Sequence, residues 1–446
     1  MNNRLRITVS GIRGEVPGAL HVGVASQFAS AFSAYLESGT VALCRDSRPS
    51  SPMLQRAVSA SLMAAGLDGA DFGCLPVSFL QHLMGTRKYS GGIAVSAGHN
   101  PLPWNAVLLL NENGSYLETA EGSEVFNIYQ AEEFQKASWD SLGRISREKF
   151  PLSGYLEDLS REVDVERIRS AGFKVVADPC NGALSSFMGA YAEFFGLELV
   201  AINDLPGKPF PHPPEPAPEN ASQARAVVRA VGADLGVLFN SDGSRISFVD
   251  ERGTALSEEA TVPLCLLSLE GRIQTLITTS ATSRWTDWAA DRIGIRLLRT
   301  RVGQSAVTHL METEDAEAGG EGSGSFAFSP FSSGYDALLS LSLVLDMLAR
   351  GGRPLSSLGK EFPPLHRRKL KIDVPAHRIY RVMDHLEEVY AEEKPDFTDG
   401  IRVRRRGVWF LIRPSTTEFI LRIMIEGDDP VQTAAVEDEI RERIGR

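Results

Sequence analysis

Cysteine is scarce. The 446-residue chain has four, Cys44, Cys74, Cys180 and Cys265, with no CxxC pair and no Cys-His spacing. That scatter excludes a disulfide framework and a zinc module as organising devices, and buried thiols in a reducing cytoplasm are the expectation. Long apolar runs are missing too. No segment reaches the length of a membrane span, and the opening MNNRLRITVSGIRG has no apolar leader core, so a soluble cytoplasmic protein without a membrane partner is expected. Positive charge is in deficit, with 46 Lys and Arg against 57 Asp and Glu and a formal net charge of −11. Phosphate backbones demand clustered cations, so a nucleic-acid partner is excluded as a class, while local basic patches remain for a small anion.

What is present belongs to an ordinary globular protein, with 43% hydrophobic and 23% charged residues. At roughly 100–200 residues per domain, the length implies about three or four domains. VALCR (41–45) reads as a strand, and Leu54, Ala57, Val58, Leu62 and Ala65 form one face of the helix that follows, with Pro52 in its first turn and Gly66 at its end. VSFLQHLMGTRK reads as a helix and GGIAVSA (91–97) as a buried strand emptying into a polar loop. Strand and helix alternate again through FKVVADP, LELVAIND and ADLGVLFN, and once more from QTLITTS to the long helix YDALLSLSLVLDMLARGG. Such alternation implies βαβ units in mixed, mostly parallel sheets. From RKLKIDVP onward the pattern changes to one helix, three strand-like runs and a terminal helix near Pro430. The fold class expected is therefore α/β: three α/β domains (1–150, 151–255, 256–366) and a closing α+β domain (367–446).

Five polar loops sit where strands end, the usual place for ligands in α/β sheets. They are SGIRG (10–14), SAGHNP (96–101), NSDGSR (240–245), GGEGSGS (319–325) and RPSTTE (413–418). In this order they resemble the signature loops of the α-D-phosphohexomutase superfamily, the phosphoglucomutases, phosphomannomutases and phosphoglucosamine mutases. CRDSRPSSPML (44–54) and RTRVG (299–303) resemble two further family elements, and the likeness runs over nearly the whole chain. It implies four domains around a central cleft.

The same comparison exposes departures. Where the family loop T-A-S-H-N-P carries its phosphoserine, this chain has Gly98, which cannot hold a phosphoryl group. Ser96, in extended geometry, would stand about 7 Å away, too far to replace it. His99 has a possible part in proton transfer, turn stabilisation or phosphate binding. Leu108 stands at the family's proton-transfer lysine. The family's D-x-D-x-D-R metal loop reads Asn240, Asp242 and Ser244, so its formal charge falls from −3 to −1. No tight Mg²⁺ site and no other cofactor is expected, with only weak Mg²⁺ binding left; a plain Asp-Gly turn explains this loop equally. The resemblance assigns Glu321 and Ser323 to sugar hydroxyls, and Arg13, Arg45, Arg413, Ser415 and Thr417 to phosphate.

The function expected on these losses is a catalytically inactive binder of a hexose phosphate or similar anion, acting as a sensor, a homodimer or a partner subunit. The alternative is an active hexose-phosphate mutase or phosphotransferase with a rerouted mechanism, using a bound bisphosphate in place of the phosphoserine. A structural subunit without ligand is the third reading.

Overall fold

The computed structural model describes residues 5–415 and 420–445. Four sheets, one per region of the chain, carry the architecture. The first has seven strands in the order Arg6–Thr8, Gly11–Glu15, Trp104–Leu110, Gly91–Val95, Thr40–Arg45, Asp68–Cys74 and Ile145–Arg147. Its middle is parallel, and its N-terminal edge is antiparallel.

The second and third sheets repeat one plan: three parallel strands with an antiparallel fourth at the edge. The last sheet is wholly antiparallel, in the order His366–Asp373, Ile420–Gly427, Val408–Pro414, Ile401–Arg405. Among the described residues no helix is long and apolar enough to cross a membrane.

The apolar periodicities account for these elements. The helix Ser51–Ala65 buries Leu54, Ala57, Val58, Leu62 and Ala65 and stops at Gly66 in the left-handed region, φ 86°, where glycine costs little. Two segments differ from the sequence reading. SGIRG is no loop: Gly11–Glu15 is a strand paired to Trp104–Leu110, with Ile12 buried between Gly11 and Arg13, whose glycine-and-charge composition hid the strand pattern. The glycine-rich run 319–325 is a hairpin, with Ala318–Glu321 against Ser325–Phe328.

Packing divides the molecule unevenly. One apolar cluster runs without a break from the first region through the third, joining Phe79, Tyr155, Tyr191, Phe248, Leu266 and Leu341. Polar bonds cross the same seams, as where the Tyr155 hydroxyl donates to Asp336 at 2.9 Å. The C-terminal region keeps a separate core around Leu386, Phe410, Ile412 and Ile425. A body that shares its core behaves as one unit, and a region with its own core can move as another. This arrangement places the loops of the first three sheets on a common frame, with the fourth sheet facing them across a cleft.

Candidate active site

The cleft encloses about 1160 Å³ and is lined by residues from all four regions. Glu321, Ser323, Arg413, Ser415 and His99 all reach it. Arg13 stands behind the wall, donating to the Asn100 Oδ1 at 2.8 Å. Arg45 does not line the cleft; it donates to the Asp46 carbonyl at 3.1 Å and lies against Cys74, so its expected phosphate contact is withdrawn. Leu108 packs in the shared core between Gly11 and Ala94. Thr417 lies outside the described residues, as do Thr416, Glu418 and Phe419.

The strand Gly91–Val95 ends before the SAGHNP loop, so residues 96–98 turn rather than extend. The Ser96 hydroxyl then sits 3.2 Å from the Gly98 N–H, which donates to it. This corrects the extended spacing expected from sequence, yet Ser96 remains committed, donating to Asp46 at 2.8 Å. Gly98 has φ 53°, and a Cβ placed there would meet Asp242 Oδ2 at 2.9 Å. A carboxylate oxygen thus occupies the place that a side chain at 98 would need.

Arg48, which sequence reasoning passed over, holds the loop in shape. Its buried guanidinium donates to the carbonyls of Gly98, Asn100 and Pro101 at 2.7, 2.7 and 2.8 Å and pairs with Asp46 at 2.9 Å. Ser241, from the facing loop, donates to the same Gly98 carbonyl at 2.7 Å. The arginine of a matched "RDSR" element was visible in the sequence, but not that three carbonyls would converge on it.

The NSDGSR turn sits between the antiparallel strands Leu235–Phe239 and Ile246–Asp250. Its side chains satisfy one another. Asn240 Nδ2 and the Ser244 hydroxyl both donate to Asp242 Oδ1 at 2.7 Å, and the Ser244 N–H joins them at 3.2 Å. Mg²⁺ requires several hard oxygens with counter-charge in near-octahedral array. A single carboxylate, one of whose oxygens already accepts three hydrogen bonds, does not fit it, and among the described residues no cluster of three His, Cys, Asp or Glu side chains is suited to a metal.

The cleft lining carries both signs of charge, with arginines closest to His99. The His99 imidazole is held well below its ordinary value, first by Arg245, then by burial, then by Arg13, Arg48 and Arg422. It is therefore neutral, and the cations around it form a site for an anion. Glu321, also in the cleft lining, has its carboxyl pushed up, chiefly by burial and against the pull of Arg245, the Tyr335 hydroxyl bond and Arg413. Arg413 lies 3.7 Å from Asp399, whose carboxylate also accepts the Val302 N–H of the RTRVG segment at 3.1 Å.

Two groups had no sequence signal beyond residue type. Glu259, buried against Gly322 of the 319–325 hairpin, accepts the Ser283 N–H at 3.0 Å and pairs with Arg367 of the C-terminal sheet. Beside it Glu258 meets Lys369 at 2.6 Å. His212, on the proline-rich loop, bonds Asp178 at 3.1 Å and lies 3.8 Å from the Cys180 sulfur. Burial pushes this imidazole down, but the bonds to Asp178 and Cys180 prevail and lift it to about 10. Its folded-state value exceeds the unfolded one, so the stability it contributes is complete below about pH 6.5 and is lost as pH rises through about 10. The melting-temperature advantage of the wild type over His212→Gln should accordingly shrink steadily between those limits; a constant difference across the range would refute the ion pair.

Comparison with known proteins agrees with this geometry. Models of phosphoglucomutase/phosphomannomutase match in order: α/β/α domain I at 5–136, domain II at 153–253, domain III at 260–365 and the C-terminal domain at 370–443. A phosphoglucomutase/phosphomannomutase from Thermococcus kodakarensis is 32% identical over 427 residues, 93% of each chain. A phosphoglucosamine/phosphogalactosamine mutase from Sulfurisphaera tokodaii is 29% identical over 436 residues, 94% of each. A solved phosphoglucomutase/phosphomannomutase family protein from Burkholderia thailandensis shares the fold, with a TM-score of 0.83 at 22% identity, covering 98% of this chain and 97% of that one. The chain belongs to the phosphoglucomutase/phosphomannomutase family of the α-D-phosphohexomutase superfamily. Relatives alike over nearly their full length carry mutase names, which overturns the expectation of an inactive binder.

Restoring the family's serine is a poor repair. A side chain at φ 53° costs roughly 1–2 kcal/mol in the left-handed region, and the new Cβ presses on Asp242. Gly98→Ser should lower the denaturation midpoint and give no rise in turnover, since Leu108, Asn240 and Ser244 remain; faster isomerisation by this variant would contradict that.

Proposed function

We propose that the protein is a hexose-phosphate mutase that interconverts 1- and 6-phosphates, with a hexose bisphosphate as the source of the transferable phosphoryl group. The supporting observation is one cleft that gathers Arg245, Arg413 and Arg422 with His99, Ser323, Ser415 and Glu321 from all four regions of the chain, with Arg13 holding Asn100 behind it. A sugar with a phosphate on either side is matched by charge-assisted bonds at both, and turning it over exchanges the two ends.

Arginines take the part of neutralising charge in the transition state. His99, kept unprotonated by them, is the cleft-wall base available to a sugar hydroxyl, and a bound phosphate offsets the arginine field and strengthens it. The donor set of Asn240, Asp242 and Ser244 supports a reaction that proceeds without tightly bound Mg²⁺.

The test is phosphorus NMR of the whole protein with glucose 1-phosphate, mannose 1-phosphate or glucosamine 6-phosphate, each with a trace of the matching bisphosphate. Isomerisation that depends on the bisphosphate is expected. Chelation with EDTA should change its rate less than about twofold, against the losses of several kcal/mol when a metal neutralises transferred charge. No conversion of any of the three sugars would sink the proposal.

A further inference from the structure

We infer that Tyr335 is a positioning residue for sugar recognition: its hydroxyl fixes the Glu321 carboxylate in the cleft so that this carboxylate accepts from sugar hydroxyls, which sets a sugar phosphate apart from phosphate alone. The inference rests on the mutase reading above and names what in that cleft selects for the sugar.

The geometry begins at the hairpin. Glu321 closes the strand Ala318–Glu321, opposite Ser325 on the partner strand, and it lines the cleft. The Tyr335 hydroxyl donates to its Oε1 at 3.0 Å, and the Gly303 N–H of the RTRVG segment supports the carboxylate more weakly. Burial, followed by the field of Glu321, keeps the Tyr335 phenol well above its ordinary value, so it remains a proton donor. A carboxylate has about four acceptor positions, so a bond from Tyr335 fixes its orientation and leaves acceptor positions for donors that enter the cleft. Hydroxyl groups are the donors that a sugar ring offers. Arg245 and Arg413 also draw on Glu321, but an incoming phosphate competes for those cations, whereas the buried phenol stays with the carboxylate.

Tyr335 is itself firmly placed. It is 4% exposed and belongs to a buried cluster with Ile277, Val307, Met311, Ala316 and Ala327. The next residue, Asp336, donates its N–H to the Phe326 carbonyl at 3.0 Å and caps the helix Ala337–Gly351, accepting the N–H groups of Leu338 and Leu339 at 2.9 Å. Hairpin and helix therefore hold the backbone beside the tyrosine, and the hydroxyl reaches Glu321 from a packed frame. The other hydroxyl-binding group of the hairpin is backed in a similar way, with Ser323 lying 3.2 Å from the Ser325 hydroxyl.

The experiment titrates the full chain with glucose 1-phosphate, mannose 1-phosphate and glucosamine 6-phosphate and, as the ligand without a sugar, inorganic phosphate. Tyr335→Phe keeps the ring and removes the hydroxyl. It should weaken sugar-phosphate binding about 10-fold, the order carried by a hydrogen bond to a charged group, and change inorganic phosphate affinity by less than about twofold, since the cations are untouched. Tyr335→Met, which also fills the apolar cluster without a hydroxyl, should behave alike and covers poor folding of the first variant. In a Glu321→Ala background Tyr335→Phe should add nothing, because two changes acting through one contact are not additive. As pH falls, Tyr335→Phe should begin to lose sugar affinity at a higher pH than wild type, since a carboxylate deprived of a donor holds its proton more tightly, with Arg245 and Arg413 acting equally in both. Unchanged sugar affinity, an equal loss of sugar and inorganic phosphate, additive losses with Glu321→Ala, or coincident pH profiles would each overturn the role of Tyr335 and leave the mutase reading standing. A wild type that binds none of the three sugar phosphates would overturn both.

Discussion

Arg48→Met should destabilise the protein by about 3–5 kcal/mol, the cost of leaving a buried carboxylate without its cation. Arg48 and Asp46 are wholly buried, and no water replaces the donors lost to the carbonyls of Gly98, Asn100 and Pro101 without opening the wall of the cleft. The measurement is a urea unfolding midpoint. Asp46 keeps its bonds from Ser51 and Ser96, at 2.6 and 2.8 Å, in either protein, but those hydroxyls do not neutralise it. Adding Asp46→Asn should therefore recover part of the loss, because the uncompensated charge is removed. If the double variant were as unstable as the sum of the two single ones, charge would not be the cause. The same variant should lose at least about 100-fold in kcat/KM, because a shift of about 1 Å in a catalytic loop has that order of effect.

Arg413→Ala should weaken sugar-phosphate binding about 10- to 100-fold, from the roughly 1.5–3 kcal/mol carried by a hydrogen bond to a charged group. Arg413 lies at the end of the strand Val408–Pro414 and projects into the cleft, with Asp399 at 3.7 Å to orient it. Burial lowers its guanidinium value, and Asp399 works against that fall, so an incoming phosphate finds a cation already partly stripped of water. Titration calorimetry with glucose 1-phosphate reads the change, and Arg413→Lys should recover only part of it, since an ammonium lacks the planar fork that grips two oxygens. Unchanged affinity in the alanine variant would place phosphate elsewhere. The stability of the separate C-terminal core should hardly move, since Arg413 is not among its apolar members.

Individual residues mark how far the sequence could be read. The five loops gave the family because their residue types recur in order, and Glu321, Ser323, Arg413 and Ser415 do line one cleft. Arg45 was misplaced because an arginine at a strand end can turn to either face, and only the neighbouring Cys74 and Asp46 show which it took. Glu259, Arg367 and His212 carried no local signal, and Arg48 stood in a matched element that did not show what it would hold. Each acts through at least one partner 24 or more positions away in the chain, as Arg48 does with Gly98 and Arg367 with Glu259. Reading the missing serine and carboxylates as lost activity also erred. It scored side chains one by one, whereas the relatives' mutase names and the arginines gathered around His99 point to function retained by the whole cleft.

The sequence by itself determined the alternation of strand and helix, the order of the loops and the excess of acid over base, because periodicity, turn chemistry and composition are local or additive properties. Tertiary structure alone decided which side chains meet. Gly98 and Asp242 stand 144 residues apart in the chain, yet the fold places a carboxylate oxygen 2.9 Å from where a Cβ at 98 would be, because two separate sheets present their loops to one shared cleft.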